Sequence, residues 1–476
     1  GEQVRQSLTA MAAGGMYDQL GGGFHRYSVD ALWRVPHFEK MLYDQGQLLR
    51  IYAQAWQRFG DERYRQVVIE TSDYLLRGMQ HPAGGFFSAE DADSLIAHGS
   101  DEHAEGAYYV WTRDRLDEVL GIDQLALFAT VYGIEVDGNI PPGSDPHGEL
   151  HRQNVLYLAR SIDEAAAATG QAVTAAAANL AAARSAVFAA RAERPAPHRD
   201  EKILVAWNGL AISGLAWAAR VTGADRFLQA ARRAADFLAS NCYEAPTQQL
   251  YRVWTEGQRG ETRAFAADYA YLVRGLLDLA EVDPDPRHLR WAADLQRAMD
   301  ERFWDEASGG WFDTDGRDAS VLIRMKESYD GAEPAPSSVA ADNHRRLAHV
   351  LEEFADGGRL VTAIDAFGVQ LERSPAVMPV MVACADAQQH GDTALTLTGD
   401  PAAPVYAEWV DLLRQRYLPH GVLVHAAACR DLPGALVPPA SDAPSASLCL
   451  GQRCLPPVQD VAGLTEQLGQ LRGDQE

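Results

Sequence analysis

Short loops of one kind recur along this chain at a spacing that few folds accommodate. GGGF begins at Gly21, GGFF at Gly84, QLYR at Gln249, GGWF at Gly309 and HGVL at His420, and each follows a stretch of helical periodicity. Gly21 to Gly84 is about 63 residues and Leu250 to Trp311 about 61, the length of two helices and a connection, so the chain reads as a repeated helical hairpin. One helix pair cannot bury both of its apolar faces, so the hairpins must pack on one another.

Apolar positions at a period near 3.6 place helices over 2–18, 37–59, 61–80, 112–133 in two pieces, 161–192, 206–222, 224–240, 264–281, 286–302, 335–353, 357–372, 376–390 and 403–416. Long connections (19–36, 81–111, 241–263, 303–335) lead into every second helix, and short ones lead out. The polar motifs sit in the long loops or at the helix starts they feed. If every second helix belongs to one inner ring, these motifs converge. The expected fold is therefore all-α, an (α/α)6 barrel over 1–430 with short β hairpins in its loops and a wrapping tail over 431–476. An open α-solenoid would instead spread the motifs along a groove.

Charge narrows the partners. Lys and Arg number 42 against 66 Asp and Glu, a net charge of −24, which argues against nucleic acid or an anionic membrane. No run of about 18 apolar residues stands out, and the first residues lack the basic start and apolar stretch of a signal peptide. The chain begins inside a helical pattern without a Met, as if partway through a longer protein. The expected location is cytoplasmic. Of five cysteines only Cys449 and Cys454 are close. A local disulfide is one outcome; free thiols in a reducing compartment are the expected one. No zinc-type pair of Cys pairs exists.

The densest motif is Gly21–Asp44, GGGFHRYSVDALWRVPHFEKMLYD. Pro36 has the signature of a first helical position, so a helix is expected from His37, with Lys40 and Asp44 on one face and Glu39 and Tyr43 on another. The loop reads as a pocket rim, or else as a buried ion-pair cluster. Further candidates are Glu90, Asp91 and Asp93 in SAEDADS, then Trp207-Asn208-Gly209, Asp268-Tyr269 and Asp330. Aromatic rings beside carboxylates suit sugars, because a ring stacks on the C–H face while the carboxylate takes the hydroxyls. A pair of carboxylates across a cleft would serve glycoside hydrolysis, with Glu39, Asp44, Asp91, Asp268 and Asp330 as candidates. Epimerisation or isomerisation would use histidine, here His25 or His37. The catalytic set is thus His25, His37, Glu39, Asp268 and Asp330. The binding set is Arg26, Trp33, Lys40, Tyr43, Asp44, Glu90, Asp91, Asp93, Trp207, Asn208 and Tyr269. No metal or cofactor is expected; the phosphate-loop, GxSxG and HExxH patterns are missing.

In order, GGGFHRYSVDALWRVPHFEKMLYDQ, SAEDADS, EGAYYVWT, DEKILVAWNGLAISGLA, AADYA and SYDGAEP…SSVAADN resemble the bacterial YyaL and spermatogenesis-associated thioredoxin-domain family, over about residues 10–350 and more weakly to Cys449 and Cys454. The resemblance implies a thioredoxin-like domain ahead of a six-hairpin domain, of which this chain holds the second. It also implies a fold similar to that of acylglucosamine epimerases, cellobiose epimerases and unsaturated glucuronyl hydrolases. The function it implies is a carbohydrate-active domain, an epimerase, isomerase or hydrolase of a small saccharide. The other reading is a catalytically silent sugar- or protein-binding module serving its thioredoxin-like partner. Two departures stand out: Ser337 where the family tends to have Asn, and the polar run Asp342-Asn343-His344-Arg345-Arg346 in the helix that follows.

Overall fold

A computed structural model describes residues 1–145, 148–429, 431–437 and 443–470. The chain forms two compact units. The first comprises Gly1–Gln45, Asp61–Gln80 and Phe87–Glu201; the second comprises Gly46–Gly60, His81–Phe86 and Lys202–Glu476.

The first unit holds α1 (Glu2–Ala13), the opening turn of α2 (Leu42–Phe59), α3 (Glu62–Tyr74), α4 (Arg113–Val119), α5 (Ile122–Tyr132), α6 (Ile162–Thr169) and α7 (Val173–Ala192). Small antiparallel ladders join its loops. β1 (Tyr27–Ser28) pairs with β2 (Pro36–His37), and β3 (Lys40–Met41) with β4 (Ala89–Glu90). β5 (Asp93–Leu95) pairs with β6 (His103–Glu105), and β4 also takes β7 (Arg199–Asp200). The expected helix start at Pro36 is corrected here. Residues 36–41 are extended, in two short strands, because their backbone finds partners across the loop: Arg26 N donates to Glu39 O, Phe38 N to the Glu105 carboxylate and Leu42 N to Ser88 O. Those bonds outweigh a local helix preference, and α2 begins six residues later than Pro36 suggests. The single helix expected over 161–192 is two, parted by Gly170 in a left-handed cap at φ +68°. By length and composition α7 is the one helix among the described residues apolar enough to cross a membrane, contrary to expectation. It packs Ala176, Ala183 and Val187 into a core with Leu125, Phe128 and Val131 of α5.

The second unit holds the remainder of α2 with α8 (Val205–Thr222), α9 (Asp225–Asn241), α10 (Ala266–Ala280), α11 (Pro286–Phe303), α12 (Pro336–Leu347), α13 (Gly358–Ala366), α14 (Gly368–Arg373) and α15 (Pro379–His390). The loop ladders are β8 (Ile203–Leu204), β9 (Tyr243–Glu244), β10 (Gln249–Leu250), β11 (Val253–Thr255) and β12 (Gln258–Arg259). The alternation expected from loop lengths is present. α8 lies against α10, α10 against α12 and α12 against α15, while α9 packs on α8 and α11 on α10. α10 and α12 are buried almost all round, as inner helices must be, whereas α9 and α11 each bury one face. The inner helices approach to backbone contact through glycine. A Cβ on Gly209 would stand 2.5 Å from Tyr271 C, one on Gly275 2.4 Å from Gly209 O, and one on Gly46 2.5 Å from Leu210 C. A Gly209→Ala variant is therefore expected to lose about 1–3 kcal/mol in a urea titration, because neither helix backbone can yield alone. The Gly-Gly loops have their own reason: Gly309 and Gly310 hold φ of +75° and +76°, as Gly22 and Gly23 hold +73° and +80°.

After α15 comes an element outside the all-α expectation. β13 (Thr393–Thr398) lies between parallel β14 (Gly421–His425) and antiparallel β15 (Ser445–Leu450), with β16 (Arg453–Cys454) at the edge. α16 (Pro404–Arg414) and α18 (Val461–Gln470) cover the sheet around Trp409 and Leu464, and the short α17 (Ala426–Cys429) follows β14. Cys449 and Cys454 face each other across β15 and β16 and form a disulfide, so the expectation of free thiols is corrected.

Candidate functional site

The motif residues of the first unit divide into a closed cluster and a partly exposed one. Lys40, pointing inward from β3, is 1% exposed. Its Nζ donates to Asp18 Oδ2 at 2.9 Å and Gly22 O at 3.0 Å, and it stands 4.3 Å from the centre of the Tyr74 ring. Arg191 of α7 grips the same Asp18 with two bonds of 2.8 and 3.0 Å. Burial pushes the Asp18 carboxyl up, but Arg191 and Lys40 more than reverse this and hold it well below the usual range. His25 packs against Phe38 and Tyr109 and donates from Nδ1 to Phe38 O at 2.9 Å. Burial, then Lys40, brings it down to about 3, so it is neutral. Glu90 accepts from Tyr74 OH at 2.8 Å. The cavity beside this cluster measures only about 20 Å³.

The second cluster is wetter. His37 stacks on Tyr27, holds Glu105 at 2.7 Å through Nδ1 and faces Glu39 at 3.6 Å through Nε2. Arg26 donates to Glu39 at 2.9 Å and to Tyr43 OH at 3.3 Å. Asp44 sits in the first turn of α2. Asp91 and Asp93 are exposed, Asp91 capping the Asp93 N–H. Trp33 is half-buried with φ +60°, and its carbonyl accepts from Gly15 N. Among the described residues, no group of three His, Cys, Asp or Glu is placed to hold a metal ion.

Asp268, Tyr269, Trp207, Asn208 and Asp330 belong to the second unit, at the starts of α8 and α10 and before α12. Asn208 is a clasp, accepting from Phe86 N and donating to Phe86 O and Leu204 O. Asp268, fully buried, accepts from Ala206 N, Phe265 N and Arg252. Burial outweighs those donors and raises its carboxyl. Tyr269 OH takes bonds from Leu250 N and Arg302. Asp330 gives one oxygen to Ala335 N and the other to Val380 N, both at 2.8 Å, so it fixes the loop into α12. Beside them Glu333, which the sequence reading passed over within SYDGAEP, accepts from the Trp207 indole and is raised by burial.

The same unit holds a cavity of about 470 Å³ that the sequence reading did not anticipate. It opens between the later turns of α2, α8, α10 and α12, the start of α15 and the segment before β14. Five arginines line it: Arg50, Arg220, Arg274, Arg345 and Arg346. Arg346 reaches Asp278 at 2.9 Å and Glu281 at 2.7 Å, Arg220 reaches Glu281 at 2.9 Å, and Arg345 reaches Asp342 at 2.8 Å. Ser213 donates to Asp278 at 2.5 Å. Burial raises both Asp278 and Asp342, but the arginines around them carry each below the ordinary range. Trp217 lies under Arg220 at 4.7 Å, and His420 binds Asp386 through Nε2 at 2.6 Å. One signal was available in the sequence: the polar run at 342–346, which is wholly buried. Ser337, the other departure, is occupied with the Trp311 backbone, so the helix reaches the cavity through Asp342, Arg345 and Arg346.

No family model matches the chain. Spermatogenesis-associated protein 20 of Homo sapiens is 38% identical over 98% of this chain and 62% of its own length. The Mus musculus protein of the same name is 38% identical over 89% of the chain and 56% of its own length. An uncharacterized protein of Caenorhabditis elegans is 34% identical over 97% and 65%. These proteins are homologues of the chain, as its motifs imply, and the chain spans about three-fifths of the length of the curated relatives it matches. Among solved structures, a sugar epimerase from a ruminal bacterium is similar at TM-score 0.43 and 10% identity, over 77% of this chain and 70% of that one. Cellobiose 2-epimerase from Spirochaeta thermophila is similar at 0.43 and 12%, over 78% and 71%. A family 105 glycoside hydrolase of C. acetobutylicum is similar at 0.32 and 13%, over 70% and 77%.

Proposed function

We propose that the chain is a saccharide-binding domain on an (α/α)6 plan whose chemistry is proton exchange, as in epimerisation or isomerisation, rather than glycoside hydrolysis. The lining of the 470 Å³ cavity carries the reading. Trp217 and Tyr417 offer ring faces, and arginines, Ser213 and carboxylates offer directional partners for hydroxyls. Hydrolysis needs a neutral carboxylic acid to protonate the leaving oxygen. In this lining Asp278 and Asp342 are held ionised, and Glu281 is clasped by two guanidinium groups. His420, oriented by Asp386, is the lining residue of the type that exchanges protons near neutral pH. The setting that goes with this reading is cytoplasmic, beside the thioredoxin-like domain that the family resemblance implies.

The test is proton NMR of aldoses and disaccharides incubated with the chain in deuterium oxide. Loss of the carbon-bound proton signal next to the carbonyl carbon, slowed by a factor on the order of 10² in His420→Gln, is the expected result. Release of a reducing sugar without exchange would overturn it. Binding without either reaction would favour the silent module, a reading that the tight packing around Lys40 also supports, since about 20 Å³ admits no sugar.

A further inference from the structure

Of the five cavity arginines, three are hydrogen-bonded to carboxylates. Arg220 and Arg346 hold Glu281, and Arg345 is held by Asp342 at 2.8 Å and by Asp392 at 2.5 Å. The other two are not. The carboxylate oxygen paired with Arg50 is that of Asp278, at 3.8 Å, and the one paired with Arg274 is that of Asp342, also at 3.8 Å; both lie beyond hydrogen-bond reach. Arg274 is only 7% exposed, and its buried Nε has no acceptor. Arg50 is close enough that its charge repels that of Arg274. Two like-charged guanidinium groups facing one cavity without hydrogen-bonded acceptors are costly unless an anion completes the set. In the lining itself five guanidinium groups face three carboxylates, Asp278, Glu281 and Asp342, with Asp392 behind Arg345 and Asp386 behind His420, so the wall is rich in cations in a chain whose net charge is −24.

We infer that this cavity takes a ligand bearing a single carboxylate, and that Arg50 on α2 and Arg274 on α10 receive it. One carboxylate has an oxygen for each of these two guanidinium groups and matches their planar forks. Resting on the saccharide reading above, the ligand class is a sugar acid.

The experiment is isothermal titration of the chain, at fixed ionic strength, with D-glucuronate, D-galacturonate, D-mannuronate and D-gluconate, each beside its neutral parent sugar and the corresponding 6-phosphate. At least one acid is expected to bind about tenfold more tightly than its neutral parent. That preference is expected to vanish in Arg50→Gln and in Arg274→Gln, where the acid loses more affinity than its neutral parent, and to return in part in Arg274→Lys. Arg50 is the more exposed of the pair, so its variant reports even if the buried one misfolds. Equal binding of acid and parent, a preference that survives both variants, or tighter binding of the phosphate would each overturn the assignment. The two proposals fail separately. An acid that binds through Arg50 and Arg274 without exchanging a carbon-bound proton upholds this one and sinks proton exchange. A neutral sugar that exchanges while no acid is preferred does the reverse.

Discussion

Asp18→Asn is expected to destabilise the first unit by about 3–5 kcal/mol, read as a shift in the midpoint of urea unfolding. The side chain is 4% exposed and carries two cations at once, Lys40 at 2.9 Å and Arg191 through a pair of bonds. It also accepts from Leu20 N and Gly21 N, which fixes the entry to the Gly-Gly-Gly loop. Asparagine keeps the shape and part of the hydrogen bonding but removes the charge, so two buried cations are left facing each other. Lys40→Met is the control. It removes one cation and leaves Asp18 with its bidentate partner, a neutral pair, and is expected to cost clearly less than Asp18→Asn. If both variants cost the same, packing around Tyr74 and Tyr109, not charge, holds this loop. Because the folded carboxyl titrates well below its unfolded counterpart, its contribution is complete above about pH 4 and is lost as the pH falls further.

The opening motif shows how far sequence reading reaches. Its residue types announced a dense polar cluster, and the cluster exists; what periodicity could not show was that Lys40 lies in a strand, because the bonds that hold 36–41 come from Arg26, Glu105 and Ser88, distant in sequence. The hairpin repeat was legible for a local reason, since helix spacing and Gly-Gly loops are written within each segment. The α10 and α12 spans follow the expected pattern, although α12 stops at Leu347. The cavity was illegible because its arginines come from α2, α8, α10 and α12, and nothing in a one-dimensional pattern says that Arg50 and Arg274 meet. The mixed sheet was missed for a similar reason: β13, β14 and β15 are short apolar runs whose pairing is set by register across about 50 residues. His25, His37 and Glu39 lie in one unit and Asp268 and Asp330 in the other, a division that loop counting gave no hint of.

The contribution of His25 to stability is expected to fall by about 2 kcal/mol between pH 6.5 and pH 4.5. The imidazole is 2% exposed, wedged between Phe38 and Tyr109, with its one polar partner the Phe38 carbonyl. Burial first, and the nearby Lys40 second, bring its pKa from 6.5 to about 3. Between those values the unfolded chain binds a proton at this position and the folded chain does not, so acid favours unfolding. The stabilising contribution is whole above pH 6.5 and declines below it with a slope that approaches about 1.4 kcal/mol per unit. Asp18 acts in the same direction but only below about pH 4, so the window from 4.5 to 6.5 excludes it. His425, buried between Tyr406 OH and Glu281 O, is also lowered and adds a slope of the same sign. His25→Gln separates the two. The amide can still donate to Phe38 O but does not titrate, so urea midpoints measured across the window should lose the share due to His25 and keep the remainder. Midpoints that shift by the same amount in the wild type and in His25→Gln would mean that His25 takes up its proton in the folded state, and that Lys40 and Arg191 leave room for a third positive charge in the cluster.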